Sequence, residues 1–167
     1  MDAIAVLCYS RNTMKPHYLP AGSHAVTPYL IVADAARAIE FYIAAFGATD
    51  LGRIAMPDGK IGHAELQLGD SRVMLADEFP DFDAKSPLSV GGTPVSLMLY
   101  VADCDAVIAR AVALGAKATQ PLENKFYGDR NGGLTDPFGH KWTIATHIED
   151  VSLEEIGKRA AAMFGGG

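Results

Sequence analysis

Leu30-Ile31-Val32-Ala33-Asp34 returns about 70 residues later as Leu99-Tyr100-Val101-Ala102-Asp103. The correspondence extends outward. Phe46-Gly47-Ala48 matches Leu114-Gly115-Ala116, and Gly69-Asp70-Ser71-Arg72-Val73-Met74-Leu75 falls in the place of Gly139-His140-Lys141-Trp142-Thr143-Ile144-Ala145. Both ends of the repeat keep nearly one offset, so the chain is read as two copies of one module.

Each copy opens with a stretch rich in β-branched and aromatic residues, Ala25 to Val32 or Pro94 to Val101, followed by an aspartate suited to cap a helix. From Asp34 to Phe46, Ile39, Ile43 and Phe46 recur at helical steps and Gly47 supplies a stop; Val107, Ala111 and Leu114 before Gly115 repeat the arrangement. Three strands are expected next: Thr49 to Met56, Ile61 to Leu68 and Arg72 to Ala76 in the first copy, and Ala118 to Leu122, Gly132 to Asp136 and Lys141 to Thr146 in the second. The fold class is therefore α+β, two tandem βαβββ modules (about 25–80 and 94–148) forming curved mixed sheets around a cleft, in a single domain spanning 23–167. Asp81 to Thr93 reads as a linker. Ser152-Leu153-Glu154-Glu155 is a capping box that opens a C-terminal docking helix over about 152–164, and residues 1–22 read as an N-terminal extension without periodicity.

With 49% hydrophobic and 20% charged residues the chain has enough apolar material to fold. A formal charge of −6 opposes attraction to nucleic acid or anionic lipid. No apolar run reaches a membrane span and the first residues lack a signal-peptide pattern, so neither membrane nor nucleic acid is an expected partner and the location is read as cytoplasmic. Cys8 and Cys104 lie too far apart in sequence for a metal or redox motif and are expected to be free thiols.

A duplicated βαβββ unit whose second copy ends in Asp136-Pro137-Phe138-Gly139-His140 before a strand resembles the vicinal oxygen chelate superfamily: glyoxalase I, bleomycin-resistance proteins, fosfomycin-resistance enzymes and extradiol dioxygenases. The match covers roughly Ala25 to Ile148. The resemblance implies two curved four-stranded sheets around a cupped cleft, often completed by a second copy in a homodimer. Metal enzymes of that group carry His, Gln or Glu on the first strand of each module and Glu near the middle of each last strand. Here Thr27 and Ser96 take the first-strand positions, Thr143 stands where one Glu would be, and Arg72-Val73-Met74-Leu75 supplies no ligand. Hydroxyl, thioether and aliphatic groups lack the basic lone pairs a Ni, Zn or Fe ion needs, so no metal and no cofactor is expected.

His63, Glu65 and Gln67 alternate along one strand and share a face. That face is either a mixed polar surface or a cleft lining on which His63 and Glu65 act as acid and base. A metal at these two residues would need further ligands from elsewhere. Phe126-Tyr127-Gly128-Asp129-Arg130-Asn131-Gly132-Gly133 reads as a ligand loop, with Tyr127 to stack, Arg130 to hold an anion and Asp129 either beside the ligand or paired with the arginine. Its glycines fit neither a P-loop nor a dinucleotide fingerprint. Tyr29, Tyr100 and Trp142 are either core or aromatic walls for a flat ligand. His140 sits in a turn and is assigned no role, and His147, Glu149 and Asp150 read as a solvated bend or a second polar cluster.

The function these features point to is a metal-free protein that binds a small aromatic or anionic molecule in the cleft. One alternative is a glyoxalase-like lyase, isomerase or dioxygenase with a shifted ligand set or metal-free acid–base chemistry; another is a non-catalytic dimeric interaction protein.

Overall fold

A computed structural model describes residues 17–165; Cys8 and most of the N-terminal extension lie outside the described residues. The first module runs β1 (Tyr29–Val32), α1 (Ala35–Phe46), β2 (Thr49–Ala55), β3 (Ile61–Leu68) and β4 (Ser71–Asp77). A 3-10 turn (Pro80–Phe82) and the short helix α2 (Pro87–Val90) lead to β5 (Ser96–Tyr100), α3 (Cys104–Ala113), β6 (Lys117–Asn124), β7 (Asp129–Thr135) and β8 (Lys141–His147), and α4 (Leu153–Phe164) closes the chain. Two four-stranded sheets result, ordered β1-β4-β3-β2 and β5-β8-β7-β6, with β1–β4 and β5–β8 parallel and the other pairs antiparallel. This is the tandem βαβββ arrangement that the repeat predicts. Among the described residues no helix is long and apolar enough to cross a membrane.

The capping residues act as expected. Asp34 accepts from Arg37 N at 3.0 Å, Asp103 from Ala106 N at 2.9 Å and Ser152 from Glu155 N at 3.2 Å. Gly47 stops α1 at φ 73°, a left-handed conformation that side chains disfavour. Asp77, at the end of β4, accepts from Ala35 N at 2.8 Å and Ile61 N at 2.7 Å, fastening the start of α1 and of β3 to the sheet.

Several expected bounds shift. The opening strands begin at Tyr29 and Ser96, not Ala25 and Pro94, because only there do β4 and β8 offer a pairing partner. Ile43 and Leu114 are exposed, and the buried stripe of α1 runs instead through Ala35, Ile39, Tyr42 and Phe46. The largest correction concerns Asn124 to Asn131. Asn124 pairs with Arg130 and β7 starts at Asp129, so the expected loop shrinks to a tight connection and its polar residues stand on a strand. Asp129-Arg130-Asn131-Gly132-Gly133 has no apolar alternation to reveal this. The glycines are there for room, since a Cβ at Gly132 would meet Ile108 Cδ1 at 2.9 Å.

α1 and α3 each cover one face of their own sheet and pack against one another, so both modules share one core. At its centre Tyr42, Phe46, Phe138 and Trp142 form an aromatic cluster with ring centroids 4.9 to 6.2 Å apart. The buried Asp136 carboxylate accepts four hydrogen bonds: from the Tyr42 hydroxyl of the first module (2.7 Å), and from Trp142 Nε1, Phe138 N and His140 N of the second (each 2.9 Å). Burial, and then the adjoining carboxylate, push the Tyr42 hydroxyl pKa well up, so it stays a donor. Arg110 Nε to Ala45 O (2.9 Å) and a 3.0 Å contact between His140 Nε2 and Ile31 O add further ties between modules.

Asp136→Ala, which orphans buried donors from both modules, is expected to cost about 3 kcal/mol or more, and Tyr42→Phe about 1.5 to 3 kcal/mol. Guanidinium chloride unfolding checks both; an Asp136→Ala protein as stable as the parent would mean that this carboxylate does not hold the modules together.

Candidate functional site

With helices on one face, each sheet presents its other face openly. On β1 this face carries Tyr29 and Ile31, on β3 His63, Glu65 and Gln67, and on β4 Arg72 and Met74, as the alternation of burial along these strands shows. The register sets Tyr29, Met74 and Glu65 in one row and Arg72 opposite Gln67. A polar chain crosses the face. The Tyr29 hydroxyl meets His63 Nδ1 at 3.0 Å, His63 Nε2 lies 3.5 Å from Glu65 Oε1, and Arg72 Nη1 donates to Glu65 Oε2 at 3.2 Å. In the tautomer that directs Nε2–H to the carboxylate, Nδ1 accepts from tyrosine. Desolvation raises the Tyr29 pKa, which keeps that hydroxyl protonated. Arg72 also donates to Ala21 O (2.8 Å) and Ser23 Oγ (3.3 Å), while its Nε is buried without a partner among the described residues.

The open face of the second sheet carries Met98 and Tyr100 on β5, Asp129, Asn131 and Gly133 on β7, and Thr143, Ala145 and His147 on β8. The buried Asp129 carboxylate accepts from the Tyr100 hydroxyl and from His147 Nδ1, both at 2.8 Å, and His147 Nε2 lies 3.0 Å from Asp150. The hydrogen bond to Asp129, and next that to Asp150, raise the His147 pKa. The bond to Asp129 likewise raises that of Tyr100. Asn131 Nδ2 donates to the Tyr127 hydroxyl at 2.8 Å.

Between the modules lies an open cleft of about 600 Å³, bordered by Val26, Pro28 and Arg72 on one side and Leu97, Met98 and Tyr100 on the other. It has an apolar floor, with the Arg72 guanidinium, the Asp70 carboxylate and the Tyr100 phenol at its margin.

The expected site residues are thus divided. Tyr29, His63 and Glu65 come together on the first face, and Tyr100 and Asp129 on the second. Gln67 turns back to donate to Gly69 O at 3.0 Å. Trp142 lies in the aromatic core, only 3% exposed, and touches the cleft from behind. Arg130 departs most. Strand alternation from Asp129 points it to the helix side, where it grips Asp105 through two 2.7 Å bonds and Asn124 at 3.0 Å, so the expected Asp129–Arg pairing is replaced by these contacts. Arg130 in turn holds the Asp105 carboxyl below the usual range. His140, given no role, instead bridges the modules, and Glu149 is engaged by Arg159. Sequence reasoning missed Arg72 and Asn131. Arg72 shares the period-two face of β4 with Met74, a signal that was present but was weighed only for metal ligation.

A family model described as the Glyoxalase/Bleomycin resistance protein/Dioxygenase superfamily matches residues 22–144. The chain belongs to that superfamily. Among its superfamily relatives, an uncharacterized protein of Mycobacterium bovis is 44% identical over 135 residues, covering 79% of this chain and 89% of its own length, and one of Arabidopsis thaliana is 33% identical over 130 residues, covering 70% and 76%. Solved structures of similar fold include TioX from a Micromonospora species (29% identical, TM-score 0.60, 75% of this chain and all of the other) and a Pseudomonas aeruginosa protein (25%, 0.61, 76% and all of the other).

The donors among the described residues do not fit the superfamily's metal centre. Met74 pairs with Tyr29 and Thr143 with Met98, so a thioether and a hydroxyl hold the mid-positions of the two last strands. Thr27 spends its hydroxyl on His24 O at 3.1 Å. Among the described residues no three His, Cys, Asp or Glu side chains converge as a metal would require.

His147 carries a further prediction. Its folded-state pKa is raised above the ordinary 6.5, so its contribution to stability is complete below that value and is lost as pH rises through the elevated one. Proton NMR titration should find His147 titrating high, and Asp129→Asn should lower it; an unchanged midpoint in that variant would remove Asp129 as the cause.

Proposed function

We propose that this superfamily member is a metal-free cytoplasmic binding protein that holds a small molecule with flat apolar surface and an anionic group in the cleft between its modules. The observation that carries this reading is Arg72, whose guanidinium stands at the margin of an apolar cleft faced by Met98 and the phenol of Tyr100. Arg72 is held by Glu65 and two contacts from residues 21–23, so it is positioned in advance, and the part of its guanidinium that borders the cleft could meet a carboxylate or phosphate. The cleft volume lies within the range of small-molecule sites. Homodimerisation fits the same reading, because the open sheet faces leave Ile54, Met98 and Tyr100 exposed in a single chain. The Tyr29–His63–Glu65 chain favours a second reading, metal-free acid–base catalysis on the first face, in which His63 moves a proton and Glu65 orients it.

Calorimetric screening of aromatic carboxylates against purified protein tests the first reading. Saturable binding without turnover is expected, weakened about tenfold or more by Arg72→Gln. Elemental analysis after incubation with Ni, Zn, Mn and Fe(II) should find no stoichiometric ion; a tightly held ion, or turnover abolished by His63→Gln, would overturn the binding-only reading.

A further inference from the structure

We propose that the space between α4 and the open face of the second sheet is a separate binding site, selective for an uncharged, largely aromatic molecule that carries a hydrogen-bond donor. The cavity measures about 630 Å³, enough for such a molecule. Its floor is the sheet, with Met98, Asn131 and Thr143, and its roof is the last turn of α4, with Met163 and Phe164.

Three independent features define what fits. The first is an acceptor without a donor. Asn131 is 2% exposed, its amide nitrogen is used by the Tyr127 hydroxyl at 2.8 Å, and no described residue donates to its carbonyl oxygen, although the residue borders the cavity. A ligand N–H or O–H would satisfy it. The second is charge. Lys125 and Glu123, both on the rim, neutralise one another at 2.6 Å, and Arg159 is occupied by Glu149, Glu155 and Phe126 O. Among the described residues an anion therefore finds no unpaired Lys or Arg here.

The third feature is the unfilled apolar roof. No side chain of α4 is buried, and Phe164 is 73% exposed although its ring approaches that of Phe126 edge-on at 6.0 Å. Polar contacts tie the helix down: Arg159 donates to both Glu149 oxygens at 2.8 and 2.9 Å. The segment before it rests directly on Gly128, whose carbonyl accepts from Ile148 N and Glu149 N and where a Cβ would come within 2.1 Å of Glu149 O. Backbone contact thus fixes α4 above the sheet, and an aromatic ligand fills the gap that its own side chains leave.

Fluorescence titration of the intact chain with uncharged N-phenyl-1-naphthylamine tests the proposal, with anionic 1-anilinonaphthalene-8-sulfonate as the comparison. Saturable binding of the uncharged probe is expected, weakened about tenfold or more in a Met163→Ala/Phe164→Ala double variant and weakened in Asn131→Leu, but unchanged in Arg72→Gln. Met163 and Phe164 are exposed, so the double variant leaves the core intact. Absent saturation, or an affinity that ignores the double variant, overturns the site. So does gel filtration in which that variant turns a dimer into a monomer, since a second copy would then be the occupant. Loss of anionic-probe binding in Arg72→Gln alone, with the uncharged probe failing to bind, would support the inter-module cleft and sink this site.

Discussion

The carboxylate of Asp136 lies out of water and accepts hydrogen bonds from Tyr42 in the first module and from Trp142 and two backbone amides in the second. A buried charge is tolerable only with such a complement of donors, and here the donors come from both halves of the chain. The aromatic rings packed around it exclude water and strengthen each bond. Because this knot lies on the helix side of the sheets, it fixes the relative placement of the two open faces without occupying either, and the cleft beside Arg72 exists only in that placement.

The modules repeat in topology but not in the chemistry of their open faces. The first bears a linear relay in which tyrosine, imidazole, carboxylate and guanidinium succeed one another. The second bears a buried carboxylate with tyrosine and histidine as its two donors and, nearby, an amide that donates to the Tyr127 hydroxyl. Positions that would carry metal ligands in other members of the superfamily are held by methionine and threonine on both last strands. The two-module frame is intact, and the polar side chains of the open faces stand at neighbouring positions on the same strands.

Much of the fold was legible because it follows from local rules. Asp34, Asp103 and Ser152 announce helix starts through their own side chains, and β3 could be bounded at Ile61 and Leu68 from the turn sequences on either side and the alternation from His63 onward. Only the start of β7 was hidden: Gly132 to Thr135 fell within the expected strand, but Asp129-Arg130-Asn131 carry no apolar alternation and read as loop. The site was legible only in part. His63 and Glu65 declare their shared face by spacing, but the turning of Arg130 away from the cleft depended on where β7 begins. The contact between Tyr42 and Asp136 spans 94 residues, a pairing that nothing local encodes.

The connection between modules, from Glu78 through α2 to Val95, is partly ordered: Phe79 and Ala84 form an isolated bridge, Lys60 donates to Glu78 O, and α2 packs beside Gly139. The Asp136 knot takes its tyrosine from a helix 94 residues away in the same chain. That tie closes only if the path of this connection returns the second module onto the first, so a segment with no side chain in the shared core sets the geometry in which that core forms.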